Sequence, residues 1–385
     1  MAEIYFDNSS TTKASPEVVR IVDKVMTEDY GNPSSMHRKG IEAEKYIRDA
    51  RRKIASVLKV QENEIYFTSG GTEANNWAII GSALANKRAG GRILTTAMEH
   101  PAVSEPLKFL EGQGFEVMEI PVDSSGQLDM ARLSEELTPD VILVTMMYVN
   151  NEIGAVTPVR EIAGLVHGKC PQALYHVDAI QAFGKYRINP KAEGIDLLSV
   201  SGHKLHGPKG TGFLYASRKA RLLPLIYGGG QQDGMRSGTE NVPGIAGLGV
   251  AVEEAYTDFD SKIGKLYGLK ERLEAGISRL DGTVIHGIRG REGAPHIVNA
   301  AFLGVGAEVL LHTLEDHGIY ISSGSACSTH KRAASPTMTA IHAPKEEAQA
   351  SVRFSFSDLN TAEEVDETLN VLKEVLPRLR RYSRK

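Results

Sequence analysis

The chain has 385 residues, with 44 Lys+Arg against 48 Asp+Glu and a net charge of −4. A dedicated nucleic-acid binder would carry a clear basic excess, so direct nucleic-acid contact is not expected. Hydrophobic residues make up 41%, enough for a real core, and at roughly 100–200 residues per domain the length suits two domains. In chain order, short apolar runs read as buried strands at 64–67, 92–95, 115–120, 141–148, 174–177, 196–200 and 211–215. Helical patterns lie between most of them, as at 73–86 and 159–167. Continuous apolar strands alternating with helices predict a largely parallel sheet covered on both faces. The 211–215 run follows Val200 too closely for a crossover helix, which favours antiparallel pairing there. The longest apolar stretch, 141–149, is about half the ~20 residues a membrane helix needs.

The pattern changes after about residue 258. Ile263, Leu266, Leu269, Leu273, Ile277 and Leu280 lie three or four apart, which marks one face of a long helix. A strand at 296–302, a helix near 308–317, a Ser/Gly-rich stretch at 322–328 and a strand at 352–356 follow. Val365, Leu369, Leu372, Leu376 and Leu379 stripe a last helix. The expected architecture is α/β, with a large domain on a mostly parallel sheet and a smaller C-terminal α/β domain.

The chemistry concentrates at the strand ends. Ser201-Gly202-His203-Lys204 follows the 196–200 strand, where ligands of open α/β sheets bind. A lysine there can form a Schiff base with an aldehyde cofactor; taken alone, it reads far more readily as a surface loop lysine. Asp178 ends the 174–177 run. A buried carboxylate at that point can keep a pyridine nitrogen protonated or simply cap the next helix. Thr68-Ser69-Gly70-Gly71-Thr72-Glu73 follows a strand and opens a helix, where free N–H groups favour a phosphate. Glycine loop, carboxylate and lysine, in that order at strand ends, describe a pyridoxal-phosphate site. His100, after the 92–95 strand, can stack on such a ring and move protons, and His203 is a candidate phosphate ligand.

Two cysteines, Cys170 and Cys327, exclude a disulfide scaffold and an all-cysteine metal site. Reduced thiols fit a cytoplasmic protein, and Glu3 and Asp7 argue against a secretory leader. Cys327 lies in Ser322-Ser323-Gly324-Ser325-Ala326-Cys327-Ser328-Thr329, a stretch suited to exposing a thiol. Cys170 fits the commoner pattern of a buried, inert thiol and is given no role.

Assembled, these motifs resemble the NifS/IscS-like cysteine desulfurases, fold-type I pyridoxal 5′-phosphate enzymes of the class V aminotransferase lineage. The resemblance runs nearly the whole length. It takes in Phe6-Asp7-Asn8-Ser9-Ser10-Thr11-Thr12, the Gly70-Gly71-Thr72 loop, Glu99-His100, Asn150-Asn151-Glu152-Ile153-Gly154 and His176-Val177-Asp178-Ala179 with Gln181. It continues through Ser201-Gly202-His203-Lys204, Arg236-Ser237-Gly238-Thr239, Ser323-Gly324-Ser325-Ala326-Cys327 and Ser351-Val352-Arg353-Phe354-Ser355.

The resemblance implies that Lys204 is the Schiff-base lysine, that Asp178 pairs with the pyridinium, and that Gln181 reaches the ring hydroxyl. His100 stacks on the ring; Gly71, Thr72, Ser201 and His203 hold the phosphate. Thr239 does so from the partner of a homodimer. Asn151, which also stands beside the cofactor, and Arg353 bind the substrate carboxylate, and Cys327 takes the sulfur. The implied activity converts L-cysteine to L-alanine and passes sulfur to an acceptor such as an iron–sulfur scaffold or a tRNA-thiolation enzyme. The implied division places 14–258 in the large domain, and 1–13 with 259–385 in the small one. A selenocysteine lyase is the neighbouring alternative, against which the Cys327 loop argues.

Three features depart from the pattern. Gly71 stands where alanine is common. Phe356-Ser357-Asp358 replaces a usual Leu-Gly-basic run. The 331–342 stretch, with Pro336, is atypical.

Overall fold

The computed structural model describes residues 3–323 and 335–383. Seven strands form the main sheet in the order Ile65–Thr68, Gly212–Ala216, Leu197–Ser201, Leu174–Asp178, Val141–Met147, Arg92–Thr96, Glu116–Ile120. Gly212–Ala216 runs antiparallel to both its neighbours, and the other pairings are parallel. The short link between Ser201 and Gly212 explains this exception, since no crossover helix fits within it. Every residue of Val141–Met147, Leu174–Asp178 and Leu197–Ser201 is buried, as continuous apolar runs require when both faces are covered.

Two helices not anticipated from the sequence, Pro16–Thr27 and Arg38–Leu58, pack against Val242–Tyr256 on one face. The first is set by Ser15, whose hydroxyl accepts from Val18 N, and by Pro16 at its first position. The expected 73–86 helix divides into Gly71–Asn76, a π turn over Trp77–Gly81, and Ser82–Asn86. At the π turn the buried Trp77 indole donates to Leu223 O at 3.0 Å. A Cβ at Gly81 would stand 2.7 Å from the same carbonyl, so glycine admits the approach.

The second sheet is antiparallel, ordered Ser322–Ser323, Ser351–Ser355, Ile297–Phe302, Thr283–His286. The strand at Thr283–His286 was not expected. Helices Phe259–Ile277, Ala307–Glu315 and Ala362–Ser383 cover this sheet. The two leucine stripes read from the sequence meet here. Leu266, Leu269, Leu273 and Ile277 share a core with Val365, Leu369, Leu372 and Leu376, and Ile4 and Phe6 join from the N-terminus. Ile4–Tyr5 pairs with Ile319–Tyr320.

Candidate active site

Because the Ile65–Thr68 strand is parallel to Leu197–Ser201 through two antiparallel pairings, its carboxyl end joins those of the parallel strands. The Gly70-Gly71-Thr72 turn, His100, Asp178 and Lys204 therefore converge at one edge. A cavity of about 310 Å³ opens there, lined by Gly71, Thr72, His100, Asn151, Asp178, Gln181, Ser201, His203, Lys204 and Arg353, together with Ser9, Ser10 and Ile180. One described residue expected at the site is not in its wall. Thr239 is exposed elsewhere on the surface, and Cys327 lies outside the described residues. Cys170 is buried at the end of Val159–Lys169, where its thiol donates to Thr138 O at 3.1 Å and burial raises its pKa.

Lys204 ends a single 3₁₀ turn, Gly202–Lys204. Its ammonium donates to Ser9 O at 2.5 Å and Ser10 O at 2.7 Å. Asp178 is 4% exposed. Its Oδ1 accepts from Ile180 N at 2.9 Å and its Oδ2 from Asn75 Nδ2 at 2.7 Å. Burial raises its pKa, and the two donors, His100 and Lys204 offset part of that rise. Asp178 is thus a buried carboxylate that closes a turn through Ile180 N; the helix-cap reading does not hold, because the next helix begins only at Pro190. Asn75 is a supporting residue with no role foreseen from the sequence. It lies two residues beyond the Thr68–Glu73 motif, about one helical turn after Thr72.

His100 caps the helix Pro101–Glu111, its Nδ1 accepting from Ala102 N at 3.0 Å. That bond leaves the proton of a neutral ring on Nε2. Burial lowers its pKa, favouring the neutral form. His203 is likewise held neutral: burial, with help from Lys204 and Lys209, pushes it down to about 4. Glu99, beside His100, is buried, and burial pushes its carboxyl up to about 8 against hydrogen bonds from Met147 N and Thr96 Oγ1.

Gln181 donates through Nε2 to Ser9 O at 3.0 Å and faces His296 Nε2 through Oε1 at 3.3 Å. The buried His296 was not foreseen. Arg353 is 7% exposed. Its Nη1 donates to Asn151 O at 2.8 Å, and its Nη2 to Asp7 Oδ1 at 2.9 Å and Ser10 Oγ at 2.6 Å. Its buried Nε has no partner among the described residues.

These residues fit pyridoxal 5′-phosphate. A buried carboxylate with a raised pKa calls for a cation such as a protonated pyridine nitrogen. Beyond it, the wall offers hydroxyls, an amide and neutral imidazoles. The Gly70–Thr72 turn lets backbone come close: Gly70 has φ +146°, and a Cβ at Gly212 would stand 2.4 Å from Val200 O and 2.9 Å from Gly70 Cα.

Residues 4–368 match the aminotransferase class-V family. A cysteine desulfurase IscS of Methanosarcina thermophila is 43% identical over 380 residues, covering 99% of this chain and 93% of its own length. A solved structure of a NifS-like protein superposes with a TM-score of 0.92 at 36% identity, over 98% of this chain and 100% of that one. Another, SspA in complex with cysteine, gives a TM-score of 0.80 at 32% identity, over 94% of this chain and 100% of that one. The fold and site define a pyridoxal 5′-phosphate enzyme of fold-type I. The chain belongs to the class-V aminotransferases and, within them, to the NifS/IscS-like cysteine desulfurases.

Proposed function

We propose that this enzyme converts L-cysteine to L-alanine while Cys327 takes the sulfur as a persulfide and passes it to an acceptor protein. The observation carrying this reading is the single cavity that joins Lys204, Asp178, His100 and Arg353. Pyridoxal 5′-phosphate bound there supplies an electron sink for the carbanion formed at Cα. Asp178 holds the proton on the ring nitrogen, and Asn75 orients Asp178. Gly71, Thr72, Ser201 and His203 hold the phosphate. Gln181 would present its amide to the ring hydroxyl, and His100, a neutral imidazole in the same wall, would stand beside the ring.

Arg353 and Asn151 hold the substrate carboxylate. The Lys204 amine takes the Cα proton and returns it. Cys327 attacks the substrate sulfur as a thiolate. The carbon–sulfur bond breaks, a sulfur–sulfur bond forms, and the thiol proton balances the alanine product. We assign 14–258 to the large domain and 1–13 with 259–385 to the small one. The active unit is a cytoplasmic homodimer in which Thr239 reaches the partner's phosphate; its exposure leaves it available for this. The acceptor is an iron–sulfur scaffold or a tRNA-thiolation enzyme.

The test is Cys327→Ser, given cysteine without reductant. Serine is hardly ionised at neutral pH and attacks sulfur poorly, so alanine production should nearly vanish while the cofactor spectrum still responds to cysteine. In the wild type, mass spectrometry should find one extra sulfur on the Cys327 peptide. Alanine formed with no sulfur on that peptide would favour a lyase.

A further inference from the structure

The turn that carries Lys204 is held from behind by a second lysine. Lys185 Nζ donates to the main-chain carbonyl of Lys204 at 2.6 Å. Its neighbours on the turn are held by other segments: His203 O accepts from Thr12 N and Thr12 Oγ1, both at 2.9 Å. His206 N donates to Thr12 Oγ1 at 2.8 Å. Carbonyls at the end of a helical turn lack partners within it, and a cation suits them.

The base of Lys185 is itself fixed. Lys185 N donates to Ala182 O at 2.9 Å, and the preceding Gly184, at φ +80°, donates to Tyr256 Oη at 3.1 Å. Tyr256 in turn donates to Tyr186 O at 3.0 Å, and its ring packs edge-on against Phe183. A stem anchored on both sides aims the ammonium at one carbonyl.

That ammonium is held at a cost. It lines a second cavity, of about 1150 Å³, between the two sheets' domains, with His206, His296 and Asp358. Burial pushes Lys185 down to about 8, and Asp358 is the acid that opposes this. The positive charge also disfavours protonation of His206 and His296. Asp358 is tied across the gap, 3.5 Å from both His206 Nε2 and Lys262 Nζ. It stands where the family pattern is usually basic, so this chain places an acid facing Lys185. Among the described residues, no substrate-facing contact accounts for a half-buried cation at this place.

We propose that Lys185 is a positioning residue for the reacting lysine: it fixes the Lys204 main chain so that the Lys204 amine keeps its aim when it leaves the Ser9 and Ser10 carbonyls. This rests on Lys204 being the cofactor lysine, as argued above. A misplacement of about 1 Å at a reacting group can cost roughly 100-fold in rate. The test is Lys185→Met, which keeps the stem and removes the donors, beside Lys185→Arg, which keeps a cation and donors.

The methionine variant should retain the visible band of lysine-bound cofactor, so Lys204 still reacts, but with the pH midpoint of that band shifted. Its kcat should fall roughly 10- to 100-fold with KM for cysteine changed less than about threefold, and arginine should recover most of the loss. Should methionine not fold, Lys185→Gln, too short for the carbonyl, should show the same spectral and kinetic changes. A folded, loaded methionine or glutamine variant with wild-type kcat and band midpoint would overturn the proposal. So would equal impairment by methionine and arginine. Loss of the band in a folded Lys185 variant would overturn it as well, whereas a band retained in Lys204→Ala would count instead against the cofactor-lysine reading on which it rests.

Discussion

Gly71 stands where alanine is common in the family pattern, and the structure shows what an alanine would meet. A Cβ built there falls 2.2 Å from Ile180 Cδ1, 2.9 Å from Ile180 Cγ1 and 3.3 Å from Ser201 Cβ, while ordinary contact begins at 3.4 Å. The tip of Ile180 must therefore retreat by about 1 Å, an overpacking that typically costs ~1–3 kcal/mol. Both residues line the cofactor cavity, so a moved δ-methyl group intrudes on space the ring needs. Gly71→Ala should lower the thermal midpoint and weaken cofactor binding, roughly tenfold for each 1.4 kcal/mol. Ile180→Val removes the atom at 2.2 Å and should cost only ~0.5–1.5 kcal/mol by itself. The double variant should recover, with a favourable coupling of roughly 1–2 kcal/mol between touching residues. The assays are thermal unfolding of the apo protein and titration with pyridoxal 5′-phosphate for all four members of the cycle. Strictly additive effects, or an unchanged cofactor affinity in Gly71→Ala, would refute the steric argument.

Asp178→Asn should reduce kcat by roughly 100- to 1000-fold with little change in thermal midpoint, because an amide oxygen can still accept from Ile180 N; near wild-type turnover would leave Asp178 a turn cap only. Glu99 sets a pH signature. Its folded pKa of about 8 lies above the ordinary 4.5, so the folded state holds an extra proton between those values. Stability is therefore fully present below about 4.5 and lost as pH rises through 8, with a slope of at most ~1.4 kcal/mol per pH unit. Glu99→Gln removes that slope. The variant's midpoint relative to wild type should climb from pH 5 to 8 and then level, and a flat difference would contradict the buried, protonated carboxyl.

The parts of the fold legible in the sequence were those where one physical demand dominates. Strands 141–148 and 174–177 are buried on both faces, so their composition is unambiguous. The 211–215 run had too little chain before it to be parallel. Lys204, Asp178 and the glycine turn were legible because strand ends concentrate chemistry. What escaped notice depends on contacts remote in sequence. His296 matters through Gln181, 115 positions earlier. Asn75 matters through Asp178, 103 positions later. Thr283–His286 is only four residues and partly exposed, too short for a clear alternation. The π turn at Trp77–Gly81 needs knowledge of the Leu223 carbonyl, which no local pattern carries. The atypical 331–342 stretch becomes intelligible where it is described. Met338 and Ile341 pack with Met98 and Ile153, and Ser335 donates to Glu152 Oε2 at 2.6 Å. That ties its end to the loop that bears Asn151.

The N-terminal arm illustrates the same limit at the centre of the site. Its contribution is largely main-chain, and main-chain groups leave no trace in side-chain patterns. Ser9 O receives both Lys204 Nζ and Gln181 Nε2, and Ser10 O receives Lys204 Nζ again. On the other side, Ser10 Oγ and Asp7 Oδ1 receive Arg353 Nη2. The arm is fixed to the second sheet, since Ser9 N donates to Ser355 Oγ at 2.9 Å and Asn8 Nδ2 to Ser355 O at 3.0 Å. Thr11 and Thr12 fasten it to His203 on the first. In the proposed function, a substrate amino acid brings a carboxylate for Arg353 and an α-proton for Lys204. Both of those groups already meet at Ser10, Arg353 through its hydroxyl and Lys204 through its carbonyl. Substrate must compete with Asp7 for the guanidinium while the Lys204 amine leaves the carbonyls. The arm thus couples the two ends of the substrate site, and displacing it should disturb carboxylate binding and proton transfer together.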